Sequence, residues 1–311
     1  VSVVGNIVPG DMMALLNAGE HAVLSDVVYG GTHRLSTRVL TRFGVEYSFV
    51  DTSDANNVAA AIRDNTKLIF TETPANPTLK LTDIAAVSEI AQAHGLPHVV
   101  DNTFLTPYYQ RPLELGADIS LHSTTKFMEG HNVSVGGSIT AKNQEHLDAI
   151  VFVRNCLGSN MSPMVAFYTL QGCKTMSTRL EAQSANALEI AHFLETHPMV
   201  ERVTYPGLDS FPQKELADSQ ASGHGSMLWF EVQGGVESGK KLMDNLKLWS
   251  LAENLGSVES LVTHSVTMTH ADIPREERMA VGISDGLVRL SAGLESADDL
   301  IADLRQALDG L

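Results

Sequence analysis

Lys126 is the residue of this sequence whose position most clearly suggests chemistry. It closes the stretch Asp118-Ile-Ser-Leu-His-Ser-Thr-Thr-Lys126, in which a short apolar run ends in hydroxyl side chains and an amine. Burying an unpaired ammonium is costly unless the group is neutralised or used chemically. The simplest use is covalent, because a lysine amine can form a Schiff base. The alternative is a solvated lysine at a strand end.

An aspartate and a hydroxyl cluster accompany this lysine. Asp101 ends an apolar run 25 positions earlier, and Ser123 and Thr125 immediately precede the amine. These residue types suit pyridoxal 5'-phosphate (PLP), because the amine can anchor the cofactor, the hydroxyls can hold its phosphate and the carboxylate can pair with its ring nitrogen. In the ordinary interpretation, Asp101 is a helix cap and the hydroxyls belong to a turn.

Alternating apolar runs and helical patterns in the first half of the chain would position these residues. The strand candidates are residues 22–24, 45–50, 67–70, 98–100, 119–121 and 138–141. Helical periodicity is present in residues 12–16, before Gly19, and in residues 83–94, before Gly95. Strands separated by helices predict an α/β fold with a mainly parallel sheet covered on both faces.

Polar residues follow four of these strands, where ligands of parallel sheets bind. They are Asp26 with Tyr29, then Asn76, then Asp101, and finally residues 123–126. Tyr29 and Asn76 could each be a simple turn residue, since Tyr29 precedes two glycines and Asn76 precedes a proline. Taken jointly with Lys126, they predict one shared site.

The second half of the chain has a different pattern. Residues 161–197 predict one long helix, strand signals follow at 200–205, 227–232, 246–251 and 287–291, and a capped helix at 296–308 ends the chain. We therefore expect two domains, a cofactor-binding large domain over residues 1–160 and a C-terminal α+β domain, with the spine helix, over residues 161–311.

Composition excludes several functional classes. The 311 residues carry a formal charge of -16, which disfavours nucleic-acid binding because phosphates require a basic face. No run is long enough to span a bilayer and no signal peptide is evident at Val1, so a cytoplasmic protein without a membrane partner is expected. Cys156 and Cys173 are interpreted as reduced core thiols, and the twelve histidines show no metal-binding spacing.

The motifs around these residues resemble the Cys/Met-metabolism branch of fold-type I PLP enzymes, which includes cystathionine γ-synthase, cystathionine γ-lyase and methionine γ-lyase. The matching segments are Ser25-Asp-Val-Val-Tyr-Gly-Gly-Thr32, Glu72-Thr-Pro-Ala-Asn-Pro77, Val99-Val-Asp-Asn-Thr-Phe104, His122-Ser-Thr-Thr-Lys126 with Gly130-His131, and Gly282-Ile-Ser-Asp-Gly-Leu-Val-Arg-Leu-Ser291. The resemblance implies a fold-type I PLP-dependent transferase with a mainly parallel seven-stranded sheet and a smaller C-terminal α+β domain.

The resemblance also implies roles for the individual residues. It makes Lys126 the cofactor anchor and proton carrier, and Tyr29 a ring-stacking group that assists proton transfer. The remaining implied cofactor contacts are Asp101 at the ring nitrogen, Asn76 beside the ring hydroxyl, Ser123 and Thr125 at the phosphate, and Thr103.

Arg289, Asn254 and Glu253 are the expected substrate-binding residues. Arg289 lies between apolar neighbours, where its charge needs a carboxylate partner. The resemblance implies that this partner is the α-carboxylate of the substrate. The alternative is a structural ion pair with a buried Asp or Glu. Asn254 stands where relatives usually carry a serine that helps to bind this carboxylate. Glu253 resembles cystathionine-handling relatives and would attract a cationic distal group; the alternative is an exposed loop glutamate.

The implied activity is γ-elimination or γ-replacement on a sulfur-containing amino acid or a homoserine derivative, with a thiol acceptor in the replacement case. Cystathionine γ-lyase or γ-synthase is the leading expectation. The alternatives are a γ-lyase for methionine or for another amino acid with a basic distal group, and a catalytically silent binding protein.

The resemblance further implies a homotetramer built from dimers with shared active sites. Two departures accompany it. The Ser-Gly-Met turn and the upstream Tyr-x-Arg segment of relatives have no match, so we expect the N-terminal part of the large domain to be missing from this sequence. His131-Asn-Val-Ser134 also replaces the usual His-Ser-Asp-Val.

Overall fold

A seven-stranded sheet forms the first half of the protein, in a computed structural model that describes residues 2–5, 10–269, 271 and 274–311. The strands are β1 (Ser2–Gly5), β2 (His21–Ser25), β3 (Glu46–Val50), β4 (Thr66–Glu72), β5 (His98–Asp101), β6 (Ile119–Ser123) and β7 (Gly137–Ala141). Their order is β1-β7-β6-β5-β4-β2-β3, and only β7 runs antiparallel to its neighbours. The predicted mainly parallel sheet is therefore confirmed, and β1 is an addition to the predicted strands.

Helices cover both faces of this sheet. They are α1 (Gly10–Leu15), α2 (Gly30–Arg34), α3 (Ala55–Ala61), α4 (Ile84–Ala93), α5 (Thr106–Tyr109) and α6 (Gln144–Leu157). Apolar residues of α1 and α6 share one core with the sheet, whereas those of α3 and α4 form a second core on the other face. Strands β2 and β4 to β7 are largely buried from both sides, as their continuous apolar runs predict, whereas the edge strand β3 is half-buried.

The second half contains a smaller mixed sheet with its own helices. Its elements are α7 (Pro163–Lys174), α8 (Met176–Glu195), β8 (Val200–Thr204), α9 (Lys214–Gln220), β9 (Met227–Val232), α10 (Gly235–Asn245), β10 (Ser250–Leu251), β11 (Leu261–His264), α11 (Arg275–Ala280), β12 (Leu287–Ser291) and α12 (Ala297–Asp309). The strand order is β10-β11-β12-β9-β8, in which only β10 and β11 are parallel. None of the helices in the described ranges has the length and apolar character needed to cross a membrane.

The structure corrects three predictions, two of them in this half. The single helix expected over residues 161–197 is two helices, because Thr175 adopts φ −112° and ψ 6° and its hydroxyl donates to the Gly172 carbonyl at 3.3 Å. The strand expected over residues 246–251 shrinks to two residues, since backbone N–H groups of 247–249 donate instead to the Asp303 carboxylate. Cys156, expected in the core, is exposed on α6.

Candidate active site

A cavity of about 400 Å³ lies beyond the carboxyl ends of β4, β5 and β6. Its lining includes every residue that the sequence predicted for the cofactor, namely Tyr29, Asn76, Asp101, Thr103, Ser123, Thr125 and Lys126. Asp26 is the exception among the polar strand-end residues, because it is not part of this lining and its carboxylate lies 3.7 Å from the amine of Lys80. Four separate chain segments therefore meet in one cavity.

Lys126 is half-buried in the segment Thr124–Met128 that follows β6 directly, and its own backbone, with φ −95° and ψ −131°, interrupts the helical geometry there. Its amine donates a hydrogen bond to Oδ1 of Asn254. Burial, followed by the nearby positive charge of Arg289, lowers the pKa of the Lys126 amine to about 8. A substantial fraction of the amine is then neutral near pH 8, which nucleophilic attack and proton transfer both require.

A glycine allows the loop that carries Asn254 to approach this lysine. Gly256 has φ +81°, a conformation that glycine adopts without strain, and a Cβ at this position would lie 2.7 Å from the backbone nitrogen of Phe127. The same added atom would lie 3.1 Å from the Cα of Lys126. The loop therefore packs directly on the backbone that carries the lysine.

Asp101 supplies a buried carboxylate at the end of β5, with 5% of its surface exposed. Its Oδ1 accepts from the backbone N–H of Thr103 at 3.0 Å and from the Thr103 hydroxyl at 2.5 Å. Burial raises the pKa of the Asp101 carboxyl to about 6, against the opposing effect of these two hydrogen bonds. No cation in the described ranges pairs with it, so a cationic partner that binds in the cavity would be stabilised here.

Glu72 is a cavity carboxylate that the sequence analysis did not assign. It ends β4 opposite Asp101 and accepts backbone N–H bonds from Tyr29 at 2.6 Å and from Asn76 at 3.1 Å. Burial, followed by the charge of Asp101, raises the pKa of the Glu72 carboxyl. The signal was available, because Glu72 begins the quoted Glu72-Thr-Pro-Ala-Asn-Pro77 motif at the end of an apolar run.

The lining residues fit the expected cofactor. An amine, two buried carboxylates and three serine or threonine hydroxyls line one cavity, and Tyr29 also lines it with 48% of its surface exposed. The Thr125 hydroxyl donates to the carbonyl of Gly136 at 3.2 Å and accepts from its backbone N–H at 3.0 Å. This donor set matches an aldehyde with a protonated ring nitrogen and a phosphate.

Arg289 adds a buried cation next to the cavity, with 4% of its surface exposed. Its guanidinium donates to Asn76 Oδ1 at 2.7 Å, to the Thr263 hydroxyl at 3.0 Å and to the Asn254 carbonyl at 3.1 Å. These partners are neutral, and the structural ion pair considered from sequence is not formed within the described ranges. Burial lowers the pKa of Arg289 to about 10, so the side chain stays charged at neutral pH.

The structure joins the predicted substrate residues to the cavity in different ways. Asn254 contacts Lys126 through its side chain and Arg289 through its carbonyl, so it links the amine to the guanidinium. Glu253 is exposed and is not part of the cavity lining, although its charge raises the pKa of Arg289. Its role in recognising a distal cation remains a prediction.

Comparison with known proteins agrees with this geometry. The family described as "Cys/Met metabolism PLP-dependent enzyme" matches residues 9–309. Cystathionine gamma-lyase of Bacillus subtilis is 48% identical over 300 residues, which is 96% of this chain and 79% of that protein. L-methionine gamma-lyase of Porphyromonas gingivalis is 50% identical over 298 residues, 95% of this chain and 75% of that protein.

A solved structure extends the agreement to the fold. The crystal structure of cystathionine gamma-lyase from Lactobacillus plantarum complexed with L-serine superposes with a TM-score of 0.95 at 40% identity, and the match covers 99% of this chain and 81% of that one. Sequence and fold lead to the same conclusion. The chain belongs to the Cys/Met metabolism family of PLP-dependent enzymes, acts on an amino acid as a carbon–sulfur lyase of the transsulfuration group, and uses pyridoxal 5'-phosphate.

Proposed function

We propose that this protein catalyses γ-elimination or γ-replacement on a cystathionine-type amino acid. Arg289 is the observation that carries the proposal. A buried guanidinium whose protein partners are all neutral can accept the α-carboxylate of an amino acid as its charged partner. It reaches the amine of Lys126 through Asn254, so a bound carboxylate would lie close to the reacting amine.

The residues that hold the cofactor divide by chemistry. We assign Lys126 as its covalent anchor, Asp101 as the partner of the ring nitrogen, and Ser123 and Thr125 as phosphate contacts, with Thr103 fixing the Asp101 carboxylate. Tyr29 would stack on the cofactor ring and Asn76 would contact its hydroxyl, since both side chains line the cavity. When bound, PLP supplies an electron sink that makes the α proton of an amino acid acidic.

Lys126 then acts as the mobile proton carrier. Its Nζ accepts the α proton of the substrate, and the pKa of about 8 keeps part of the amine free for this step near pH 8. Loss of a β proton permits departure of the γ substituent as a thiol. Water completes an elimination, whereas addition of a second thiol at the γ carbon completes a replacement. Both outcomes share the residues that hold the substrate and move the proton.

Substrate choice rests on Glu253, which places a carboxylate near Arg289. A second cationic amino group, such as the distal one of cystathionine, would be attracted to it. Overall identity does not separate the candidates, since the cystathionine and methionine lyases cited above are 48% and 50% identical. Methionine therefore remains the second candidate substrate.

Glu253→Ala tests this choice directly. We expect turnover of cystathionine to fall about tenfold while turnover of methionine changes little, because only the first substrate loses a charge partner. Products are identified for both substrates, with and without an added thiol, to separate elimination from replacement. Equal losses for the two substrates would contradict the assignment of Glu253.

Covalent trapping tests the central assignment. Borohydride reduction of the PLP-loaded protein should add the mass of the reduced cofactor to the peptide that contains Lys126. Lys126→Ala is the matched control and should show no such addition. An unmodified Lys126 peptide from loaded wild-type protein would overturn the proposal.

The oligomeric part of the proposal is a homotetramer whose active sites are shared between subunits. Large exposed apolar side chains on α6 and α7 support it, since such patches are typical of interfaces. They are Phe152, Leu157, Met164, Phe167 and Leu170. Sedimentation of wild-type protein and of a Phe167→Asp variant tests it, and a wild-type monomer would refute it.

A further inference from the structure

A chain of side-chain hydrogen bonds leads away from Lys126 toward the loop before β11. Asn254 accepts from the Lys126 amine through Oδ1, and its Nδ2 donates to Oδ1 of Asn132 at 2.7 Å. The Nδ2 of Asn132 donates to the Glu259 carboxylate at 3.0 Å and to the Ser257 hydroxyl at 2.8 Å. Two side-chain amides, those of Asn132 and Asn254, therefore connect the Glu259 carboxylate to the Lys126 amine through hydrogen bonds.

Glu259 determines the direction of this chain. An ionised carboxylate only accepts hydrogen bonds, so Asn132 must turn its NH₂ group toward Glu259 and its oxygen toward Asn254. Asn254 must then turn its own NH₂ group toward Asn132, which leaves its oxygen facing Lys126. A reversed Asn254 amide would present a donor to the ammonium form of the lysine, and the two donors would repel.

The backbone holds these groups in place. Asn132 has φ +58°, in the left-handed region that asparagine adopts more readily than most residues. The backbone N–H of Val258 donates to the carbonyl of Gly130 at 2.8 Å, which joins the loop that carries Glu259 to the loop that carries Asn132. Asn132 and Glu259 are exposed, whereas Asn254 is half-buried, so the effect on Lys126 is expected to be moderate.

We propose that Glu259, acting through Asn132, sets the direction of an amide relay that presents the carbonyl oxygen of Asn254 to the Lys126 amine. Asn132 and Glu259 are positioning residues in this account, since neither contacts the reacting atoms. The relay favours the protonated form of the free amine and fixes its location between proton transfers. The inference rests on the proposed function only in treating Lys126 as the reacting amine.

Other charges around Lys126 must be separated from the relay. Arg289 on β12 lowers the pKa of the amine. The titratable groups that line the cavity with it are Tyr29, Glu72 and Asp101, and Glu253 stands beside the relay residue Asn254 in sequence. None of these is altered in the variants below.

The experiment measures the pKa of Lys126 in the cofactor-free full chain, from the pH dependence of acylation of its peptide followed by mass spectrometry. Glu259→Gln allows either amide orientation, so we expect the pKa of Lys126 to fall by about half to one unit. Asn132→Gly suits the backbone, keeps the Glu259 charge and breaks the relay, and should lower the pKa by a similar amount.

A double variant provides the rescue. Asn132→Asp combined with Glu259→Gln places an acceptor-only carboxylate against Nδ2 of Asn254, and should restore the pKa of Lys126. The matched control is Glu295→Gln, because Glu295 accepts from Ser260 in the same loop without touching the relay. The pKa of Lys126 in Glu295→Gln should equal the pKa of Lys126 in the wild-type protein.

Three outcomes would overturn the relay. The first is an unchanged pKa of Lys126 in Glu259→Gln. The second is a lower pKa of Lys126 in Glu259→Gln but not in Asn132→Gly, which would indicate a through-space charge effect. The third is an equal shift of the Lys126 pKa in the control variant Glu295→Gln. Because acylation needs no cofactor, a failed relay and a failed borohydride trap on Lys126 are distinguishable results.

Discussion

Replacing Asp101 with asparagine should stabilise the cofactor-free protein while weakening its hold on PLP. The carboxyl has an ordinary pKa of 3.8, and burial raises its pKa to about 6 in the folded protein. The folded state therefore binds this proton more tightly than the unfolded chain, and the free energy of unfolding falls as pH rises between these two values. Above about pH 6 the full penalty for a buried charge is present.

The size of the effect follows from the shift. A difference of about 2 pKa units corresponds to about 3 kcal/mol of unfolding free energy at pH 8. The introduced amide carries no charge but still accepts from Thr103, so we expect Asp101→Asn to gain about 1–3 kcal/mol at pH 8. At pH 4 most of the gain should disappear, because the wild-type carboxyl is protonated in the fold.

Urea unfolding at pH 8 and pH 4, at one protein concentration, measures this difference. Asp209→Asn is the matched control, since Asp209 is exposed, and should leave the unfolding free energy nearly unchanged at both values. PLP titration of the same proteins should show weaker binding to Asp101→Asn, because the ring nitrogen loses its charged partner. A loss of stability at pH 8, or a gain that does not depend on pH, would refute the reasoning.

Three further substitutions test the site. Arg289→Lys should reduce kcat/KM for the amino-acid substrate by about 100-fold, because an ammonium cannot form the paired hydrogen bonds of a guanidinium. Steady-state kinetics measure kcat/KM, and an unchanged value would exclude binding of the substrate carboxylate by Arg289. Glu72→Gln should weaken PLP binding about tenfold, since a single amide oxygen then serves the backbone N–H groups of Tyr29 and Asn76; spectroscopic PLP titration checks it. Gly256→Ala should destabilise the protein by about 2 kcal/mol or more in urea unfolding, well beyond Gly95→Ala, which has a similar φ but open space around it.

Sequence alone predicted the large sheet and most of the cavity. The apolar strands are buried from both sides and lie between helices. Each strand is therefore a continuous run of apolar residues that can be recognised in the sequence. Polar residues at the carboxyl ends of such strands converge by the geometry of a parallel sheet, which is why Tyr29, Asn76, Asp101 and Lys126 were found together.

Tertiary contacts decided what sequence periodicity could not. The Asp303 carboxylate, more than 50 positions away, binds the backbone of residues 247–249 and limits the strand expected there. The sequence places Glu72 at a strand end, but its function in the site follows from the hydrogen bonds by which its carboxylate holds the loops of Tyr29 and Asn76.

The sequence by itself determined most of the polar residues that line the cavity and the family to which the chain belongs. The tertiary structure decided how those residues are paired. Arg289 has neutral hydrogen-bond partners, and within the described part of the chain no cation pairs with the Asp101 carboxylate. The side-chain oxygen of Asn254 accepts from the Lys126 amine. The reason is physical. Strand order and burial follow from local patterns of apolar residues, whereas hydrogen-bond partners and pKa values depend on groups that are distant in the chain and meet only after folding.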